Sequence, residues 1–230
     1  VHGSTAGGIA GYGIYGTINK CYNTGRVTGT YANGISERGE DISECFNSGT
    51  IIGNAYATGI SYNIISAKNC YNEGEIKGLN SSSYACGIGM NISNCENCFN
   101  IGKVTNYSIG YSCNEGSIKN VYCLDSIKVG NEGNEAVGIT EDYLRSKEFY
   151  DKLNQDGVWI YNPNTHPQLK ANQRLAKIIN GTQLSVENKK EILNTIPLDD
   201  IYIDRIRQGF KSVLGRSGLG YGYIDINNNP

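Results

Sequence analysis

The sequence predicts an all-β chain, a right-handed parallel β-solenoid of about five coils of ~25 residues with a small α-rich C-terminal part. Two observations carry that reading. Two motifs interleave in constant order along the first half of the chain. The composition, with 30 Gly, 17 Tyr and only four Pro, favours short strands and turns over helices. At 39% hydrophobic residues the chain has enough apolar surface to fold.

The first motif appears as Cys21-Tyr-Asn-Thr-Gly-Arg-Val-Thr-Gly29, Cys45-Phe-Asn-Ser-Gly-Thr-Ile-Ile-Gly53, Cys70-Tyr-Asn-Glu-Gly-Glu-Ile-Lys-Gly78 and Cys98-Phe-Asn-Ile-Gly-Lys-Val-Thr-Asn106. Its copies begin at 21, 45, 70 and 98, hence 24, 25 and 28 residues apart, and a degraded copy follows at Val121-Tyr122. The second motif precedes each full copy: Ala6-Gly-Gly-Ile9, Ala32-Asn-Gly-Ile35, Ala57-Thr-Gly-Ile60 and Ala85-Cys-Gly-Ile88. A unit of this length cannot bury its own apolar face, so neighbouring units must stack. Three strands and three turns per coil fit the length, with strands of successive coils paired in parallel ~4.8 Å apart.

Stacking turns repeated positions into columns. Val27, Ile51, Ile76 and Val104 form one inward β-branched column, and Ile18, Ile42, Ala67, Cys95 and Ile118 form another. Residues just before the motif cysteine (Lys20, Glu44, Asn69, Asn97, Asn120) are polar throughout. Cys21, Cys45, Cys70 and Cys98 form a structural column. So do Asn23, Asn47, Asn72 and Asn100, two residues ahead of Gly25, Gly49, Gly74 and Gly102. Asn and Gly tolerate positive φ and amides bond up a stack, so the Asn–Gly pair is expected to be a corner.

These residues carry a resemblance. C-[YF]-N-x-G-x-[VI]-x-G with an upstream A-x-G-I resembles the GLUG-type repeats of bacterial secreted and cell-surface proteins, over about residues 3–128. The segment Trp159-Ile-Tyr-Asn-Pro-Asn-Thr-His-Pro-Gln-Leu169 resembles the W…P-x-L ending found after such arrays. The resemblance implies an extracellular stalk or spacer, in some members of an adhesin and in others attached to a peptidase. The chain has no His-Glu-x-x-His, so no peptidase activity carries over. The opening at Val1, in Gly-rich sequence without an initiator Met, reads as the middle of a repeat in a longer protein.

No catalytic, cofactor or metal site is expected. Cys95-x-x-Cys98 has zinc-like spacing, but both residues occupy repeat columns and no second such pair exists, so burial is expected ahead of a disulfide or a metal. Gly11-x-Gly13-x-x-Gly16 runs into a strand pattern rather than the helix that a dinucleotide site needs. Asp225-x-Asn227-x-Asn229 meets Pro230 where a calcium loop needs Gly. The array's acidic residues share no column, and His2 and His166 lie at opposite ends of the sequence. A formal charge of −2 gives no basic footprint for nucleic acid, and no run of ~20 apolar residues is present to span a membrane.

Two aromatic columns are the candidates for recognition. Tyr22, Phe46, Tyr71, Phe99 and Tyr122 follow the motif cysteines, and Tyr31, Tyr56 and Tyr84 precede A-x-G-I. Facing outward, the first column would be a stripe for a surface glycan or for a host or bacterial surface protein; facing its own neighbours, it would only stabilise the stack. The expected function is therefore a non-enzymatic structural region, with glycan or protein binding as the alternative and a polysaccharide-degrading β-helix enzyme less supported.

Beyond the array at 1–128, the segment 129–170 is expected to cap the open end of the stack. Thr140 is its N-cap, Leu144, Phe149, Tyr150 and Leu153 its apolar helix face, and Val158–Tyr161 a strand. Residues 171–230 read as an α-rich appendage or the start of a next domain. Its helices are expected at Ala171–Asn180, Glu187–Asn194 and Asp199–Leu214.

Overall fold

The computed structural model describes residues 1–12, 16–105, 117–127 and 136–171. The proposed helices beyond residue 171 and the Asp225 loop lie outside them. The array is a β-solenoid of about four turns, all of whose ladders are parallel. In one sheet His2–Gly7, Val27–Asn33, Ile51–Thr58 and Ile76–Gly78 stack in that order, and Tyr84–Cys86 also pairs with Ile51–Thr58. The second sheet stacks Thr17–Asn19, Ser36–Ser43, Ser61–Lys68 and Gly89–Asn100. A third, two-residue ladder of Tyr22–Asn23, Phe46–Asn47 and Tyr71–Asn72 joins the second sheet because Gly89–Asn100 runs through both.

Four turns form rather than five complete ones. The degraded fifth copy contributes Ile118–Leu124, which pairs Cys98 with Val121 and Phe99 with Tyr122. Val137–Ile139 then adds a last parallel strand to it. In-register stacking places like on like, as in Val27↔Ile51↔Ile76, and these three side chains are fully buried. The core has two inner clusters, one around Ile35, Ile42, Ile60 and the cysteines, the other around Val27, Ile51 and Ile76.

One corner lies where it was expected, at the Asn–Gly pair, and a second, left-handed one lies a few residues before it. Among the described residues the non-glycine positions with positive φ are Lys20, Glu44, Asn69, Asn97 and Asn120, at 49–57°, so the left-handed turn falls just before each cysteine. At the first corner Asn23, Asn47 and Asn72 end their two-residue strands and Gly25, Gly49 and Gly74 bend the chain towards the next strand. Each Asn folds its amide into the stack: Asn23 donates to Asn47 at 2.7 Å, Asn47 to Asn72 at 2.8 Å and Asn72 to Asn100 at 2.7 Å. The same Nδ2 groups of Asn23, Asn47 and Asn72 also donate to the carbonyls of Gly25, Gly49 and Gly74. Glycine is needed here for close approach rather than for positive φ: a Cβ on Gly49, Gly74 or Gly102 would lie 2.0–2.1 Å from the carbonyl oxygen of the glycine one coil earlier.

The segment 136–171 does not cap the open end. Apart from Val137–Ile139 it lies along the side of the coils, where Leu144, Phe149, Leu153, Trp159 and Leu169 pack into one cluster with Phe46, Tyr71, Phe99 and Tyr122. One expected helix is two: α1 (Glu141–Leu144), capped by Thr140, and α2 (Lys147–Leu153), capped by Ser146, whose hydroxyl accepts from the Phe149 amide at 3.1 Å. Gly157 closes the following turn at φ 68°, and Trp159–Ile160 pairs antiparallel with Gln168–Leu169. Among the described residues no helix is long and apolar enough to cross a membrane.

Candidate functional site

The first aromatic column is not a recognition stripe. Period-two alternation points each motif cysteine inward and the next residue outward, which leaves five rings on the outer wall. The rings stack on one another: Tyr22 on Phe46 at 5.2 Å, Phe46 on Tyr71 at 4.9 Å and Tyr71 on Phe99 at 5.1 Å, with planes within 11°. The lateral segment then covers them. Phe99 is fully buried, Tyr71 and Tyr122 nearly so and Phe46 largely so, while Tyr22 at the uncovered end is only half-buried. Phe149 meets Phe99 and Tyr122 edge-on, and Trp159 tilts against Tyr71 and Phe99. The rings face outward from the coil and are nonetheless interior to the protein, so no ligand reaches them in this state.

Polar contacts fix the cover in register with the left-handed corners. Asn69 accepts from the Trp159 indole at 3.1 Å and donates to Asp156 at 3.1 Å. Lys68 bridges Asp156 at 3.0 Å and Glu96 at 3.5 Å, while Asn120 donates to the Lys152 carbonyl at 3.3 Å. Where the corner lies away from the cover, Lys20 and Glu44 replace asparagine. None of this was read from the sequence. The available signal was the change to asparagine at Asn69, Asn97 and Asn120.

His166 is partly buried, its side chain 12% exposed. Its ring sits 5.3 Å from Tyr71 and 5.8 Å from Phe99, and its Nε2 lies 3.3 Å from a Glu73 carboxylate oxygen without hydrogen-bond alignment. Burial pushes the imidazole down to about 4 and the Glu73 carboxyl up. A neutral histidine beside an aromatic stack holds the cover in place.

The cysteine column is an inner spine. Cys45, Cys70 and Cys98 are fully buried, Cys21 at the end is partly exposed, and these four, like Cys95, are free thiols. Each column thiol donates to the carbonyl two residues earlier, for example Cys45 to Ser43 at 3.1 Å and Cys98 to Glu96 at 3.3 Å. Burial pushes Cys70 and Cys98 well above the usual thiol range, so they stay protonated and unreactive. Cys95 takes its apolar column place, paired with Ala67 and Ile118. Among the described residues no three His, Cys, Asp or Glu side chains group as a metal site.

The second tyrosine set is on the outer surface. Tyr31 stacks on Tyr56 at 4.6 Å, and Tyr56 on Tyr62 at 4.4 Å, a three-ring stack of half-buried side chains beside exposed Tyr84. Burial, then the hydroxyls of Tyr62 and Tyr31, push the Tyr56 phenol up to about 12. The set was legible as Tyr31, Tyr56 and Tyr84, but Tyr62 was not. Its column partners are Asn-flanked Met90 and Glu37, so no repetition marked it.

No family model, no curated protein and no solved structure matches the chain. The GLUG resemblance stands on the sequence motifs alone.

Proposed function

We propose that this chain is a structural repeat region, a short non-enzymatic rod that spaces or supports other parts of a bacterial secreted or surface protein. The observation that carries this reading is the use of the repeat's identity residues. Asn47, Asn72, Cys45, Cys70, Gly49 and Gly74 all bond or pack against the neighbouring coil, and the first aromatic column is enclosed by the lateral segment. Conserving contacts between coils rather than a cleft is what a spacer requires. The bacterial surface location and any adhesive role rest on the GLUG resemblance. Burial of the thiols is compatible with an oxidising exterior, where exposed cysteines would pair.

A second reading is recognition of a glycan or surface protein, favoured by the outward Tyr31–Tyr56–Tyr62 stack and its converging hydroxyls. A glycan array probed with the chain and with a Tyr31→Ala/Tyr56→Ala/Tyr62→Ala variant separates the two. The spacer reading expects no glycan retained by either protein. Retention by the parent that the triple variant loses would replace it with the binding reading.

A further inference from the structure

The two outward aromatic columns differ in a way that matters for oxidation. Along the covered column tyrosine alternates with phenylalanine, so Tyr22, Tyr71 and Tyr122 each stand in register with Phe46 or Phe99. The column ahead of A-x-G-I is tyrosine at three successive levels, with Tyr31 in register with Tyr56 and Tyr56 with Tyr84. Tyr62 joins it from the second sheet, where it lies in Ser61–Lys68.

Three features single out Tyr56. Its ring lies 4.6 Å from Tyr31 with planes 27° apart, and 4.4 Å from Tyr62 with planes 15° apart. Both steps are shorter than those of the covered column, at 4.9, 5.1 and 5.2 Å. Burial, then the hydroxyls of Tyr62 and Tyr31, push the Tyr56 phenol up to about 12, so the three hydroxyls gather at one place. All three side chains are only half-buried, and no lateral segment packs over them, so a small oxidant reaches them and the rings have room to turn. Tyr150 and Tyr161 make a looser pair, 5.5 Å apart and tilted by 52°, with the Tyr150 hydroxyl accepting from Asn154 at 2.6 Å.

We propose that Tyr56 is the hub of an oxidative cross-linking site, where hydrogen peroxide acting through a haem peroxidase joins it covalently to Tyr62 or Tyr31. Each of the two rings loses one electron and its phenolic proton, which gives two neutral phenoxyl radicals. Their spin extends to the ring carbons beside the oxygen, and two such carbons couple in a new carbon–carbon bond. Each coupled carbon then releases its hydrogen as a proton while its oxygen takes one up, which restores both phenols. The sum is two tyrosines and one hydrogen peroxide giving one dityrosine and two waters. Selection is by proximity, because radicals already in contact couple ahead of those that must meet by diffusion. A bond to Tyr31 ties two successive coils together, and one to Tyr62 ties the two sheets across a corner. The site does not depend on the spacer reading, whose test follows glycan retention rather than a covalent change.

The test treats the chain, dilute enough to stay monomeric, with a haem peroxidase and limiting hydrogen peroxide. Dityrosine fluorescence gives the yield, and fragment mass spectra of the monomer locate the link. A cross-link loses two hydrogens, whereas oxidation of Met90, the chain's one methionine, gains an oxygen. The link is expected to have Tyr56 at one end and Tyr62 or Tyr31 at the other. Tyr56→Phe keeps the ring and removes the phenol, and is expected to lower the yield about tenfold or more, as is unfolding the chain in urea beforehand. Tyr161→Phe is expected to leave the yield unchanged. A yield untouched by Tyr56→Phe or by urea, or links found only at Tyr150–Tyr161 or between chains, would overturn the proposal.

Discussion

Side chains at the coil-to-coil contact are chosen by what sits one strand spacing away. A Cβ on Gly74 would lie 2.1 Å from Gly49 O and 2.6 Å from Asn47 Nδ2, so Gly74→Ala must push two backbones apart inside the ladder. Denaturant melts are expected to show a loss of about 2–3 kcal/mol or more, against a change within ~0.5 kcal/mol for Gly25→Ala. The left-handed corner gives a stabilising prediction. Glu44 holds φ 49°, and its partner Lys20 is 3.9 Å away with an exposed side chain, a pairing of little worth. Glu44→Asn is expected to add about 0.5–1 kcal/mol in the same melts, because asparagine tolerates this region and supplies an amide as Asn69 does. The Asn and Cys columns were legible because identical residues recur at every level. The left-handed corner was not, because Lys, Glu and Asn stand at it and no one residue type recurs at every level.

At the scale of elements, the lateral segment turns an outward aromatic ladder into a second core. Alternation places Tyr71 and Phe99 on the outer wall but says nothing of what lies beyond it. The partners, Phe149, Leu153, Trp159 and His166, carry no repeat register that would align them with particular coils. The sequence showed that a helix follows the array but put it over the open end of the stack, whereas its apolar face packs on the outer aromatic ladder. His166 makes this docking pH-dependent. Its folded value of about 4 lies below the ordinary 6.5, so burial favours the neutral ring. That contribution is whole above about 6.5 and is lost as pH falls from there towards 4. Glu73, the charged group facing it, is shifted upward and acts with the opposite sign, its neutral form gaining as pH falls. Thermal midpoints between pH 7 and 4 are expected to fall more steeply for the parent than for His166→Phe, which keeps the ring against Tyr71 and Phe99 without a proton to take up. Equal slopes would remove His166 as the titrating group.

For the whole molecule the central claim is that coils are interchangeable units coupled only to their neighbours. The repeat was legible from the sequence because the fold is written in its spacings, and the four turns follow those spacings of 24, 25 and 28 residues. The count of complete turns was less so, since the fifth copy keeps Val121 and Tyr122 but few of the other identity residues. The most direct measurement removes residues 27–50, joining Arg26 to Ile51 so that Val1 inherits the Ile51 pairing that Val27 has now. It is paired with a deletion of 27–38, which breaks the register halfway round a coil. Circular dichroism and thermal melts are expected to show the whole-coil deletion folded, β-rich and cooperative with a lowered midpoint, and the half-coil deletion unfolded or aggregated. Collapse of the whole-coil deletion, or survival of both alike, would contradict a solenoid built from coupled, in-register coils.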